Sequence, residues 1–267
     1  MNWFWKKLLM NSRSISLFIL LFAAGCSDLI EYSPYDIDVP EPRWNNREAA
    51  RIDTVLDPVD TLKIAFFSDV HDNYDLLEAA IEKINNRNDI RFIICGGDVT
   101  NSGLSQEFNW YLDEIKKSAL PVLTVIGNHD YLSNGRYIYN RLFGSRRMYF
   151  ICGPYRFILF DDVIWENNNL SPDYIWLRSI LSDESYHNVF VAHIPPHGDQ
   201  MEGQNKLVLE QFVHKENTIL CLYGHTHIFK DMDVNGIHTL VAASLADREF
   251  YVVSLTGTMS FIEIVSF

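Results

Sequence analysis

From Leu62 onward, apolar runs rich in β-branched and aromatic residues alternate with longer stretches whose apolar positions recur every three or four residues. The first three runs, Leu62–Phe67, Arg91–Cys95 and Val122–Ile126, predict strands. The stretches between them predict helices. Tyr74–Asn86 sets Leu77, Ile81 and Ile84 on one face, and Ser105–Lys117 does the same with Phe108, Leu112 and Ile115. Such an opening implies parallel strands joined by right-handed crossovers. Further strand runs follow at Arg147–Ile151, Arg156–Phe160, Asn188–Ala192, Thr218–Tyr223, Phe229–Val234, Ile237–Val241, Phe250–Ser254 and Met259–Val265. Asn235-Gly236 and Thr256-Gly257-Thr258 are hairpin-turn signals. Two layers of sheet flanked by helices would bury these runs.

The N-terminal segment has a different pattern. Lys6, Lys7 and Arg13 precede a short apolar run, Ile15 to Ala24. As a helix it is about 15 Å long, roughly half a bilayer core, which suits the apolar part of a secretory signal. It ends in Ala23-Ala24-Gly25-Cys26, which resembles a bacterial lipoprotein cleavage site. On that resemblance residues 1–25 are a signal peptide and Cys26 is the lipidated first residue of an extracytoplasmic protein. Its acyl chains, at about 0.8 kcal/mol per buried methylene, would anchor it to a bacterial membrane, the outer membrane by expectation. Residues 27–43 hold three prolines and five acids without helical or strand period. The segment 26–60 is therefore expected to be a tether, or an arm packed on the domain 61–267 through Tyr32, Tyr35 and Trp44.

Composition narrows the partners. Of 267 residues 48% are hydrophobic and 21% charged, an ordinary globular balance. Lys and Arg number 22 against 35 Asp and Glu, a formal net charge of −13. A chain this acidic is not a general binder of nucleic-acid backbones, so a phosphate-bearing substrate needs a local attraction. Cys95, Cys152 and Cys221 each lie inside an apolar strand-like run and read as buried free thiols.

The strand runs end in polar clusters. Leu62–Phe67 gives way to Ser68-Asp69-Val70-His71, Arg91–Cys95 to Gly96-Gly97-Asp98, and Val122–Ile126 to Gly127-Asn128-His129-Asp130. Asn188–Ala192 is followed by His193, and Thr218–Tyr223 by Gly224-His225-Thr226-His227. In open α/β sheets ligands sit at the carboxyl ends of the strands, so these side chains can converge. Asp, Asn and His together are ligand types for a borderline divalent ion such as Zn, Mn or Fe. Seven ligands exceed one tetrahedral zinc and suit two ions sharing a carboxylate, the arrangement used in phosphoester displacement.

The order Asp-x-His, Gly-Asp, Gly-Asn-His-Asp, single His, Gly-His-x-His resembles the calcineurin-like metallophosphoesterase superfamily, over about residues 62–266. The segments FGSRRMYF, RFILFDD, LSPDYIWL and VAHIPPH resemble it too. The resemblance implies an α/β fold, a four-layer α/β/β/α sandwich of two mixed sheets flanked by helices. It implies that Asp69, His71 and His227 bind one metal ion, that Asn128, His193 and His225 bind a second, and that Asp98 bridges them. A metal-bridging hydroxide would attack phosphorus in line, with His129 beside the leaving oxygen as general acid or transition-state donor. Asp130 reads as a brace between loops.

One departure bears on His129. In the Ser/Thr protein phosphatases of this superfamily, the position three after the bridging Asp is another Asp, paired with the equivalent histidine, and an Arg follows. Here these are Asn101 and Ser102. The expectation is that the Asn101 amide orients the imidazole while stabilising imidazolium less than a carboxylate would. The same exchange removes the metal-binding Tyr of purple acid phosphatases. The sequence thus predicts a phosphomonoesterase or phosphodiesterase acting on small phosphoesters outside the cytoplasm. The alternative is a non-catalytic metal- or phosphate-binding surface lipoprotein of the same fold.

Overall fold

A computed structural model describes residues 33–35, 39, 42–52, 61–197, 201, 203–213 and 217–267. The stretch 1–25 expected to be a signal peptide, and Cys26, lie outside the described residues. Two sheets form within the unit Tyr35–Phe267. In the first, β1 (Leu62–Phe67), β2 (Phe92–Cys95) and β3 (Val122–Thr124) run parallel, and β10 (Glu249–Thr256) and β11 (Met259–Ser266) complete the order β11-β10-β1-β2-β3. The crossovers between its parallel strands are α2 (Tyr74–Asn85) and α3 (Ser105–Ile115), because parallel neighbours cannot be joined by a tight turn.

The second sheet has the order β4-β5-β6-β7-β9-β8. Its strands are β4 (Met148–Cys152), β5 (Tyr155–Leu159), β6 (His187–Val191), β7 (Thr218–Tyr223), β8 (Lys230–Val234) and β9 (Ile237–Val241). β5, β6, β7 and β9 are parallel, and β4 and β8 are antiparallel edges. Asn235 and Gly236, with φ of 54° and 84°, make the β8–β9 hairpin, as the Asn-Gly pair demands.

Alternation along each strand divides the apolar residues between two cores. Ile64 and Phe66, Phe92 and Ile94, Val189 and Val191, Leu220 and Leu222 face one another between the sheets. Their neighbours Ala65, Phe67, Ile93, Phe190 and Tyr223 turn outward, into the cluster that also holds Leu77, Ile81, Phe108 and Leu177 of the flanking helices. The result is the expected sandwich of two mixed sheets between helices. Cys95, Cys152 and Cys221 are buried free thiols.

Residues Trp44–Arg51, inside the stretch read as tether or arm, form helix α1. It closes the open edge of β3. Trp44 Nε1 donates to the Val122 carbonyl at 2.9 Å, and Glu48 accepts from the Val122 N–H at 3.1 Å. Asn45 both donates to the Thr124 carbonyl (2.8 Å) and accepts from its N–H (2.9 Å). An edge strand needs such cover, so the packed part of the chain includes this helix. The remaining helices are α4 (Gly135–Leu142), α5 (Tyr174–Leu181) and α6 (Gly203–Val213).

Candidate metal centre

The carboxyl ends of β1, β2 and β3 in one sheet meet those of β6 and β7 in the other. Loop pairs with loop: Asp69 N–H donates to the Gly97 carbonyl at 3.0 Å, His71 N–H to the Asp98 carbonyl at 2.9 Å, and Gly224 N–H to the His193 carbonyl at 3.0 Å. Asp69, His71, Asp98, His225 and His227 all have positive φ, between 49° and 70°. For non-glycine residues this left-handed region is strained, and strain of this kind collects at functional sites. Close approach also fixes two glycines. A Cβ on Gly127 would stand 2.2 Å from Asp98 Oδ1, and one on Gly224 would stand 2.5 Å from Asp69 Oδ2.

All eight site residues read from the sequence come together here. Asp69 Oδ1 lies 3.3 Å from His227 Nε2, which lies 3.2 Å from His71 Nε2. On the other side, Asn128 Oδ1 is 3.0 Å from His225 Nδ1 and 3.2 Å from His193 Nε2. Asp98 stands between the two sets, its Oδ2 3.1 Å from His193 Nε2 and 3.8 Å from His71 Nε2. Its other oxygen accepts from the His129 N–H at 2.8 Å. The His129 ring packs edge-on to His71 with centroids 4.7 Å apart.

These atoms suit metal ions. Asp69 and Asp98 are 0% and 1% exposed, and among the described residues neither pairs with Lys or Arg. Buried carboxylates require compensation. Imidazoles supply what they can. Burial pushes Asp98 up, but His193 overrides this and holds it at about 2. Burial pulls His193 down, but Asp98 and Asp69 raise it to about 10. Burial likewise lowers His71, against the pull of Asp98 and Asp69. Carboxylate, amide and imidazole lone pairs that converge within hydrogen-bonding distance form a donor set for borderline divalent cations. Asp69, His71 and His227 make one three-ligand group, and Asp98, His193 and His225 make another.

Surrounding contacts hold the donors in place. Asp130 is fully buried and accepts from Thr100 N–H (2.9 Å), Thr100 Oγ1 (2.8 Å) and Gly127 N–H (2.9 Å), bracing the β2 and β3 loops as expected. Burial and the Asp98 charge raise its carboxyl to about 7. His193 Nδ1 donates to the Gly96 carbonyl at 2.8 Å, which aims Nε2 at the cluster. The expected role of the Asn101 amide is corrected. His129 Nδ1 donates instead to the Asn101 backbone carbonyl at 2.8 Å, because the turn after Thr100 directs that carbonyl inward while the side chain is exposed.

Glu166 was not legible in the sequence. Its Oε1 accepts from Asn128 Nδ2 at 3.1 Å, which fixes the amide with Oδ1 toward His193 and His225. Nothing in its local context, a loop of polar residues, marks that role. His197 is half-buried, and its Nε2 has no hydrogen-bond partner among the described residues. Asn73 is spent on the Val70 carbonyl, and Tyr131 donates to Asp161 at 2.5 Å.

Known proteins give this arrangement its context. A probable cyclic nucleotide phosphodiesterase of Xenorhabdus bovienii is 31% identical over 72 residues, 27% of this chain and 29% of that protein. The chain therefore matches under a third of that relative's length. A dimetal phosphatase from Danio rerio superposes with a TM-score of 0.59 at 14% identity, over 79% of this chain and 99% of that one. The purple acid phosphatase PPD1 of yellow lupin, Lupinus luteus, gives 0.59 at 13% identity, over 78% and 52%. At such identities these two likenesses concern the fold. The family model for calcineurin-like phosphoesterases matches residues 62–229, more than half of the chain and a span holding all eight clustered residues, and the chain belongs to that family.

Proposed function

We propose that this chain is a dinuclear metal-dependent phosphoesterase that hydrolyses small phosphomonoesters or phosphodiesters outside the cytoplasm, anchored through a lipidated Cys26. The observation that carries the reading is the pair of buried carboxylates, Asp69 and Asp98, ringed by imidazole and amide donors from five strand ends. Asp69, His71 and His227 would hold one ion and Asn128, His193 and His225 the other, with Asp98 shared, and Mn, Fe or Zn fits the donors. When bound, the ions supply an acidified water as nucleophile and positive charge against the phosphoryl oxygens.

The chain's own residues do the rest. Asp98 Oδ2, within reach of both His71 and His193, joins the two halves of the site. His129, with Nδ1–H held by a carbonyl, presents Nε2 for a proton to the leaving oxygen. That acceptor is neutral, so the imidazolium receives less support than from a carboxylate. Likeness to a probable cyclic nucleotide phosphodiesterase supports including diesters, and the N-terminal leader pattern supports an extracytoplasmic setting.

Metal analysis of the purified protein should find two ions per chain, with turnover of p-nitrophenyl phosphate or its bis ester. Asp98→Asn should abolish turnover while circular dichroism stays unchanged. Metal-loaded protein inert to both esters and to a broad phosphoester panel would support the non-catalytic binding lipoprotein instead.

A further inference from the structure

A cavity of about 310 Å³ is walled by α4, the segment leading into β4 and the loop that follows β5. Three arginines line it: Arg136, Arg146 and Arg147. Arg146 pairs with Asp161 at 2.5 Å and Arg147 with Asp173 at 2.7 Å. Arg136 donates to the neutral amide oxygen of Asn167 at 3.0 Å and has no ion-pair partner among the described residues. Three guanidiniums therefore face two carboxylates, a local positive balance in a chain of net charge −13. Each guanidinium carries five N–H donors in a fixed fork, so the existing partners leave donors to spare.

Neighbouring residues link the cavity to the cluster. Glu166 holds Asn128, and the next residue, Asn167, holds Arg136. Tyr131, two residues beyond His129, touches both Asp161 and Arg146. One stretch of the loop around residue 166 therefore touches both a cluster residue and a cavity arginine.

We propose that this cavity binds a second phosphate of the substrate, selecting phosphoesters with two anionic groups. The inference rests on the phosphoesterase reading and names its substrate class. One phosphoryl group sits at the cluster, and the other reaches the arginine forks, which match phosphate oxygens bidentately. In an acidic protein this gives a doubly charged substrate an attraction that a singly phosphorylated one lacks.

The test compares fructose 1,6-bisphosphate, fructose 6-phosphate and p-nitrophenyl phosphate as substrates of the metal-loaded protein. Calorimetric binding of the two sugars to the Asp98→Asn variant runs in parallel. Expected are a kcat/KM about tenfold higher and binding about tenfold tighter for the bisphosphate than for the monophosphate. Arg136→Gln should erase both preferences, the kinetic one through KM, and leave p-nitrophenyl phosphate turnover unchanged. Arg147→Gln serves as the second variant should the first fold poorly. An active enzyme without that preference, or equal losses on all three substrates, overturns the cavity's role and leaves the phosphoesterase reading standing. If none of the three is turned over, the binding arm decides the cavity alone: equal affinity for the two sugars, or affinity unmoved by Arg136→Gln, overturns it, while the phosphoesterase reading falls only if the bis ester and a broad phosphoester panel are inert too.

Discussion

At the scale of single residues, the chemistry depends on how donors are aimed. Asn128 offers a metal its amide oxygen only if its nitrogen is engaged elsewhere, and Glu166 engages it at 3.1 Å. Glu166→Ala should cut metal affinity about 10–100-fold, the usual effect of losing a partner that orients a ligand. Titration with a metal-competing indicator measures this, and affinity equal to wild type would remove Glu166 from the site. His129 invites a different argument. Its Nδ1 is tied to a carbonyl, so Nε2 is the nitrogen through which the proposed proton donation would run. A proton donor matters little for p-nitrophenolate, which departs unaided, and much for an alkoxide. His129→Ala should therefore lower kcat on an alkyl phosphate by about 10²–10⁴ and on p-nitrophenyl phosphate by clearly less. Equal losses on the two substrates would assign it electrostatic stabilisation instead. The clustered Asp, Asn and His side chains were legible because each follows an apolar run, where such a residue at a strand end stands out. Glu166 was hidden, because its role exists only once the loop after β5 folds back on Asn128.

At the scale of elements, apolar patterning found the strands and placed their ends within one or two residues. Val122–Ile126 shows where it overshoots. Val125 and Ile126 stay buried after the ladder ends at Thr124, so apolarity continues past the strand. Helix α1 escaped the pattern for the opposite reason. Its sequence WNNREAAR has one large apolar residue, and it docks through polar side chains that complete the backbone pairing of β3. Hydrophobic periodicity does not register a helix that serves as a hydrogen-bonding cap. The same contacts predict its worth. Asn45→Ala would leave the buried Thr124 N–H and carbonyl short of a partner each, though Tyr139 still donates to that carbonyl. Such a loss costs about 1–3 kcal/mol. Denaturant melts should show a lower midpoint with unchanged slope, and unchanged stability would mean that β3 needs no cap.

At the scale of the molecule, the cluster joins what the core only stacks. Asp69, His71, Asp98 and Asn128 hang from the first sheet, and His193, His225 and His227 from the second. Between the sheets the packing is non-directional apolar contact such as Phe66, Phe92, Phe157 and Leu222. At the strand ends the contacts are polar and directional, and two of the groups are buried carboxylates that pair with no Lys or Arg among the described residues. Without cations, the two buried carboxylates have only imidazoles such as His193, 4.0 Å from Asp69 Oδ1 and 3.1 Å from Asp98 Oδ2, to compensate them amid strained left-handed backbone, a cost borne by the folded state alone. Metal binding should therefore stabilise the whole fold. A ligand at a hundred times its Kd adds about 2.7 kcal/mol, and in a domain of this size each kcal/mol shifts Tm by about 2–4 °C. Chelation should accordingly lower Tm by roughly 5–10 °C. Restoring Mn or Zn should recover it, and His193→Ala should blunt the difference because it removes a donor that the second sheet contributes. A melting curve that ignores chelation, in protein shown by elemental analysis to have lost its ions, would mean that the cluster does not clasp the two sheets through metal.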